Sequence, residues 1–248
     1  MTGAIAVTDD GAVRIIRMNR PEKKNALTRA MYADMSRALR EADQSDAIRC
    51  VMFAGTTGVF SAGNDIADFL NTADTGLHSP VLEFLHALAK GKKPIVAAVG
   101  GIAVGVGTTM LLHCDHVVAA SDAMLSTPFL KLALIPEAAS TLLAPMRMGY
   151  ARAFSMLVLG RPLSAAEARE AGLVNTVVDA AEVDAVALQA AREIAALPPG
   201  AVAVARALMR NRLDEVVERI DTEAKHYAQL LQSDEARAAF QAFFARKK

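Results

Sequence analysis

Two continuous apolar segments, each followed by a turn of small residues and then by a helical pattern, constrain the fold of this chain most. The segments are residues 50–54 and 94–99, and the turns lie at residues 60–66 and 99–107. An apolar run without alternation is typical of a strand that is buried on both faces of a sheet. Strands that alternate with helices in this way predict an α/β fold with parallel strands.

The two turns also indicate where chemistry could take place. Backbone N–H groups at the start of a helix lack intrahelical acceptors and carry partial positive charge. Two such turns that converge on one point would form a hole for a developing oxyanion. The sequence contains no evident Ser/His/Asp or Cys/His nucleophile arrangement, so the backbone is the better candidate.

The rest of the chain fits the same fold class. The patterns predict strands at residues 4–7, 13–18 and 116–120, and helices at residues 28–43, 81–89 and 106–112. Residues 71–80 are predicted to be a polar loop. From about residue 137 onward the chain is predicted to be almost entirely helical, with residues 173–178 as the only late strand. A capping box at residues 164–167 opens one of these helices.

Composition and charge exclude several classes of function. The 27 basic and 27 acidic residues balance, so there is no overall field to attract nucleic acid. No apolar run is long enough to span a membrane. Cys50 and Cys114 lie in apolar surroundings and are expected to be buried free thiols, which favours a reducing, cytoplasmic location. The segment from His113 to His116 lacks a second ligand pair, so we predict a structural role and no metal.

Four segments resemble the enoyl-CoA hydratase/isomerase (crotonase) family. They are Asn-Arg-Pro-Glu-Lys-Lys-Asn-Ala-Leu at 19–27, Phe-Ser-Ala-Gly-Asn-Asp-Ile at 60–66, residues 94–115 and residues 163–174. The resemblance implies a crotonase-like spiral of ββα units over residues 1–197. It implies a C-terminal helical region, residues 198–248, that builds homotrimers or hexamers. It also implies acyl-CoA thioester substrates and no separate cofactor, because coenzyme A enters as part of the substrate.

The resemblance also assigns roles to residues. The two oxyanion donors fall on the backbone N–H groups of Ala62 and Val106, although the family position of Val106 is usually glycine. The residues expected to contact the substrate or its coenzyme A are Lys24, Ala26, Leu27, Asn64, Asp65, Ile66, Ile102 and Phe129. Taken on its own, Asp65 is better read as a cap for the helix that begins at Ile66.

The acid and base groups separate the branches of the family. Hydratases use two carboxylates, whereas this chain has Thr109 and Phe129 at the corresponding positions. Glu137, in Leu-Ile-Pro-Glu-Ala-Ala-Ser, resembles the single acid of the delta-3,delta-2-enoyl-CoA isomerases, which moves a proton from the α-carbon to the γ-carbon. We therefore predict that Glu137 is catalytic in an isomerase. The alternatives are a solvated Glu137, a hydratase with another acid, and a non-catalytic acyl-CoA-binding scaffold.

Two interpretations remain open for several other residues. Lys23 and Lys24 could meet a phosphate of coenzyme A or belong to a solvated loop. His78 and His86 could line an acyl pocket, but solvated positions are favoured. Phe240, Phe243 and Phe244 could form core and interface packing, which is favoured, or a wall of an acyl site between subunits.

Overall fold

The computed structural model describes residues 3–70 and 79–245, so most of the predicted loop at 71–80, including His78, lies outside the described residues. The strands are β1 Ile5–Asp10, β2 Val13–Met18, β3 Cys50–Ala54, β4 Gly58–Ser61, β5 Ile95–Val99, β6 Gly101–Val104, β7 His116–Ala120, β8 Met124–Ser126, β9 Leu163–Ser164 and β10 Thr176–Val178. The α-helices are α1 Arg29–Gln44, α2 Ile66–Leu70, α3 Pro80–Lys90, α4 Val106–Thr109, α5 Ser140–Met148, α6 Tyr150–Leu157, α7 Ala165–Glu170, α8 Val183–Ala196, α9 Pro199–Met209, α10 Leu213–Leu231 and α11 Asp234–Ala245.

The strands form two sheets. The larger sheet has the order β1-β2-β3-β5-β7-β10 and is parallel except for the β1–β2 hairpin. The smaller sheet has the order β4-β6-β8-β9. Every residue of β3 and β5 is buried, as their uninterrupted apolar sequences predict. Helix α8 packs across β2, β3, β5 and β7 on the larger sheet.

Local signals fixed the ends of several helices. Thr28 caps α1, since its side chain accepts a hydrogen bond from the Met31 backbone N–H. Ser79 caps α3 in the same way. Both halves of the predicted capping box at Ser164 and Glu167 are formed at the start of α7. The helices predicted at residues 28–43 and 81–89 are therefore observed at Arg29–Gln44 and Pro80–Lys90.

The smaller sheet was not predicted. Its strands are two to four residues long, and two of them contain glycines that the sequence pattern assigns to turns. Gly101 is required in β6 because a Cβ there would lie 1.9 Å from the carbonyl oxygen of Gly58. The prediction that residues 173–178 form the only late strand is wrong, since β9 at Leu163–Ser164 pairs with β8.

The C-terminal helices pack on the body of the same chain. Helix α10 contacts α3 and α5, and α11 contacts the 3-10 helix Phe129–Leu132. Phe240 is 7% exposed and belongs to a cluster with Phe129, Leu134 and Ala236. In the part of the chain that the structure describes, no helix has the length and apolar character needed to cross a bilayer.

Candidate active site

The two small-residue turns meet at one point, as the sequence predicted. Gly63 follows β4 with φ of 84°, and Gly105 follows β6 with φ of 58°. A Cβ added to Gly63 would lie 2.8 Å from the carbonyl oxygen of Val104 and 3.8 Å from the Cα of Gly105. The conformation and the close approach both require glycine at position 63. The turns therefore pack against each other through their backbones.

The backbone hydrogen bonds show that the first oxyanion donor is not the residue predicted. The N–H of Ala62 donates to the carbonyl oxygen of Lys24 at 2.9 Å, and the N–H of Gly63 donates to Ser61 Oγ at 3.1 Å. Neither group is free to bind a ligand. The N–H of Asn64 has no acceptor among the described residues. The predicted donor Ala62 is therefore replaced by Asn64, which sequence reasoning had counted only as a contact for coenzyme A.

The second predicted donor is available. Val106 is the first residue of α4, and its N–H has no acceptor within residues 3–70 and 79–245. Its side chain is buried in the core. Gly105, in front of it, donates its own N–H to the carbonyl of Ser126, which fixes the turn. The unpaired N–H groups of Asn64 and Val106 thus follow the two glycines that touch each other.

Two tyrosines, the buried Tyr32 and the half-buried Tyr227, hold the Asn64 side chain. The Tyr32 hydroxyl of α1 donates a short hydrogen bond to Asn64 Oδ1. The Tyr227 hydroxyl of α10 lies beside the same amide. Burial raises the pKa of both tyrosines far above neutrality, so both hydroxyls stay protonated. Sequence reasoning missed both tyrosines, because their distant positions in the chain give no local signal.

A mostly apolar cavity of about 170 Å³ opens beside the two turns. The two turns contribute Asn64 and Val106, and the C-terminal helices contribute Tyr227, Leu231, Phe240 and Phe243. The cavity also contains Ala62, Ile66 and Phe129, three of the residues predicted for the site, together with Gly63, Val104, Gly105, Pro128, Leu132 and Leu134. Phe240 and Phe243 of the tail therefore line the cavity of their own chain, whereas Phe244 is exposed.

Glu137 is buried next to this site. It is 6% exposed, and its Oε1 accepts a hydrogen bond of 2.7 Å from Thr109 Oγ1, one helical turn after Val106. Its Oε2 is buried and has no partner among the described residues. Burial raises the pKa of Glu137 to about 7; the Thr109 hydrogen bond opposes this rise and the charge of Glu223 adds to it. The reading of Glu137 as a solvated first-turn acid is therefore wrong.

Glu137 does not itself form part of the cavity wall. Among the wall residues, Tyr227 is close enough for the Glu137 charge to raise its pKa, and Leu134 precedes Glu137 by three residues. The carboxylate is bonded to Thr109 of α4 and lies near Tyr227 of α10, beside the cavity. Its neutral form is populated near pH 7, which suits a group that accepts and returns a proton.

The backbone after Glu137 is unusual. Ala138 and Ala139 both have positive φ, 65° and 53°, a conformation that costs residues with a side chain roughly 1–2 kcal/mol each. The Nε2 atom of buried His113 bonds to the carbonyl oxygen of Ala138 at 2.7 Å. Burial lowers the pKa of His113 to about 4, so the ring is neutral and donates from Nε2. His113 therefore has a structural role, as predicted, and it supports the turn of Glu137.

Other predicted contact residues are used by the fold. Leu27 is fully buried, and its N–H and C=O pair with Gly63 and Asp65, so the predicted contact with substrate is corrected to a core position. The Asp65 carboxylate bonds to Arg20 at 2.7 Å and accepts from the N–H groups of Ala67 and Asp68. It acts as the helix cap that its sequence position favoured.

The contacts predicted for Lys24, Ala26 and Ile102 remain predictions. Lys24 is exposed, Ala26 is half-buried, and Ile102 lies on the same face of β6 as Val104. Cys50 and Cys114 are buried free thiols, as predicted, and burial raises the pKa of each to about 12. Within the described ranges, no group of three or more His, Cys, Asp or Glu side chains is placed to hold a metal ion.

Comparisons with known proteins agree with this geometry. The sequence profile of the enoyl-CoA hydratase/isomerase family matches residues 8–248. The chain is 35% identical over 226 residues to enoyl-CoA delta isomerase 2 of Rattus norvegicus, covering 88% of this chain but only 57% of the rat protein. It is 34% identical over 244 residues to 1,2-epoxyphenylacetyl-CoA isomerase of Escherichia coli, covering 95% of this chain and 93% of that protein.

The fold matches as well. The crystal structure of an enoyl-CoA hydratase/isomerase from Pseudoalteromonas atlantica superposes with a TM-score of 0.94 at 38% identity, over 98% of each chain. The spiral of strands and helices is the crotonase fold. Both isomerase and hydratase names occur among the relatives. This chain belongs to the enoyl-CoA hydratase/isomerase family.

Proposed function

We propose that the protein isomerises 3-enoyl-CoA thioesters to 2-enoyl-CoA thioesters. The observation that carries this proposal is the state of Glu137, a buried carboxylate with a pKa near 7 and one oxygen without a partner among the described residues. A 1,3-proton transfer requires one such group and no water. The hydratase positions, Thr109 and Phe129, hold no carboxylate.

The reaction follows from these groups. The thioester carbonyl oxygen binds the N–H groups of Asn64 and Val106, which stabilise the charge that develops on it. Glu137 Oε2 takes a proton from the α-carbon, and the electrons of that C–H bond form the enolate. When the enolate collapses, the double bond moves to the α,β position and Glu137 returns the proton to the γ-carbon. Thr109 holds the other carboxylate oxygen throughout.

We propose that Ile66, Phe129 and the apolar side chains of α10 and α11 contact the acyl chain and that Lys24 and Ala26 contact coenzyme A. We propose that no further cofactor takes part, since the transfer moves a proton and no electrons or groups. We also propose a cytoplasmic location, which suits two unpaired buried cysteines.

We further propose that the protein assembles into trimers or hexamers through its helical faces. Tyr150 of α6 and Leu208 and Met209 of α9 are 73%, 72% and 84% exposed. Leu208 and Met209 are adjacent in the chain, and contiguous exposed apolar side chains mark interfaces between proteins. Analytical ultracentrifugation should give three or six times the mass of one chain, and a Leu208→Glu, Met209→Glu variant should reduce that mass.

Product analysis tests the reaction. The purified protein should convert a 3-enoyl-CoA to the conjugated 2-enoyl-CoA, and it should form little 3-hydroxyacyl-CoA from a 2-enoyl-CoA. Glu137→Gln should lower turnover by about 100- to 10,000-fold and should still bind the thioester. Glu218→Gln, an exposed position on α10, is the matched control and should retain full turnover.

The alternatives give different results in the same assay. Hydration of the 2-enoyl-CoA that equals or exceeds isomerisation would favour a hydratase. Tight thioester binding with no turnover of either substrate would favour a non-catalytic scaffold. Isomerisation in deuterium oxide that leaves part of the proton at the γ-carbon would support a single shuttling group.

A further inference from the structure

A second buried glutamate reaches the turn of Glu137 from the C-terminal part of the chain. Glu223 on α10 is 3% exposed. Its Oε2 accepts a hydrogen bond from the N–H of Ala139 at 2.6 Å. Its Oε1 accepts from the N–H of Thr141 at 3.0 Å and from Thr141 Oγ1 at 2.5 Å. Both oxygens of this carboxylate are therefore occupied by the residues that begin α5.

Helix α5 needs this acceptor because its own N-cap residue supplies none. The N-cap is Ala139, which has a methyl side chain and positive φ. N–H groups at a helix start require acceptors, which Ser, Thr, Asp or Asn side chains usually provide. Glu223 provides them from another helix, and Arg219, one turn earlier on α10, bonds to Thr141 Oγ1 at 3.0 Å.

The two glutamates thus differ in what they bind. Glu137 lies two residues before the cap, where the free N–H groups of α5 could otherwise bind its carboxylate. Glu223 occupies the N–H groups of Ala139 and Thr141, while Glu137 has the hydrogen bond from Thr109 and its Oε2 has no partner among the described residues. A base with few hydrogen bonds is a stronger base than one that is fully paired.

We propose that Glu223 is a positioning residue, which fixes the turn of Glu137 and withholds the N–H groups of α5 from the Glu137 carboxylate. This inference rests on the proposed function, in which Glu137 moves the proton. In this role a residue of α10, more than eighty residues after Glu137 in the chain, controls the hydrogen bonds of the Glu137 carboxylate.

The electrostatics of the cluster agree with this role. The groups that face Glu137 are Thr109 of α4, Tyr32 of α1, and Tyr227 and Glu223 of α10, while neutral His113 contacts the adjacent carbonyl. Burial also raises the pKa of Glu223 to about 7, and its hydrogen bonds to Thr141 and Ala139 oppose this rise. The two carboxylates therefore titrate as a coupled pair.

Glu223→Gln tests the proposal because it keeps the shape of the side chain and removes its charge. The titration of the Glu137 carboxylate should be followed by ¹³C NMR, with its resonance assigned from the Glu137→Gln variant. In Glu223→Gln the midpoint should fall by about one pH unit, since a like charge is removed and the helix N–H groups become available. The acid limb of kcat/KM should move in the same direction.

Glu218→Gln serves as the control, since it removes the same charge from an exposed site on the same helix. It should leave the Glu137 titration midpoint and the acid limb of kcat/KM unchanged. If Glu223→Gln does not fold, Glu223→Asp keeps the charge but shortens the side chain, and it should lower kcat with a smaller change in the midpoint. An unchanged Glu137 titration in folded Glu223→Gln overturns the proposal, whatever happens to stability.

The NMR measurement also separates this inference from the proposed function. If the Glu137 midpoint moves as expected but the wild-type protein does not isomerise 3-enoyl-CoA, the positioning role stands and the proposed reaction fails. If the protein isomerises and the midpoint does not move, the reaction stands and the positioning role fails.

Discussion

The candidate site is built from two kinds of backbone turn that differ in what supports them. The turns at Gly63 and Gly105 use positive φ values of 84° and 58°, which glycine adopts without strain. The turn after Glu137 uses nearly the same conformation at Ala138 and Ala139, where each residue carries a methyl group. The glycine turns adopt this conformation without a steric cost, whereas the alanine turn bears that cost and is held by His113 and Glu223.

This difference indicates how each turn contributes to function. The glycine turns leave two N–H groups without an acceptor among the described residues and give them a fixed geometry at little cost in stability. The alanine turn is strained, and the buried Glu137 carboxylate beside it has only one hydrogen bond among the described residues. This arrangement lowers stability and depends on residues that are distant in the chain. Strain at such a position persists only when the surrounding structure enforces it.

Among changes to the backbone of the two kinds of turn, the largest effect is expected from removing a donor in a glycine turn. Val106→Pro deletes the N–H at the first position of α4, where proline fits the helix. We expect kcat/KM to fall by about 100- to 1,000-fold, as for the loss of one oxyanion donor. Val106→Ala, which keeps the N–H, is the control and should retain most activity. Equal losses in both variants would show that the side chain matters and the N–H does not.

The next largest effect is expected at Gly63. Gly63→Ala places a Cβ 2.8 Å from the Val104 carbonyl oxygen at positive φ, and should lower the free energy of unfolding by about 2–4 kcal/mol. Gly58→Ala has similar φ but no atom within 4 Å, so it should show only the conformational strain. Urea unfolding gives the free energy of unfolding of both variants. Equal losses in the two variants would mean that the contact between the turns does not contribute to the loss in Gly63→Ala.

A pH-dependent effect is expected at the alanine turn. Since folding raises the pKa of Glu137 from 4.5 to about 7, the folded state holds its proton more tightly, and stability is lost as pH rises from 4.5 through 7. Glu137→Gln does not titrate, so it should be more stable than wild type at pH 8, by roughly 3 kcal/mol at most. The two proteins should be of similar stability at pH 4.5. A stability difference that does not change with pH in urea unfolding would contradict this account.

The smallest effect is expected from relieving the strain directly. Ala139→Gly removes the cost of positive φ but adds chain entropy to the unfolded state, so a net gain below about 1 kcal/mol is expected. Ala185→Gly, at an exposed position inside α8, should instead lose about 1 kcal/mol. A loss at Ala139 as large as that at Ala185 would mean that the turn is unstrained.

Sequence reasoning could predict what depends on local chemistry. The apolar strands β3 and β5, the capped helices and the meeting of the two glycine turns all follow from residues close together in the chain. The choice between Ala62 and Asn64 could not be made, because it depends on the partner of each N–H, and the Ala62 partner, the Lys24 carbonyl, lies 38 residues earlier. The roles of Tyr32, Tyr227 and Glu223 depend in the same way on contacts between distant helices.

The position of α10 and α11 has a consequence for protein engineering. These helices supply Tyr227, Leu231, Phe240 and Phe243 to the cavity and Glu223 to the turn of Glu137. A chain cut at residue 197 would therefore lose one side of the cavity together with the hydrogen bonds that Glu223 makes to the turn of Glu137. Any redesign of the C-terminal segment must preserve these inward-facing side chains, or it will change the shape of the cavity and the support of Glu137 at the same time.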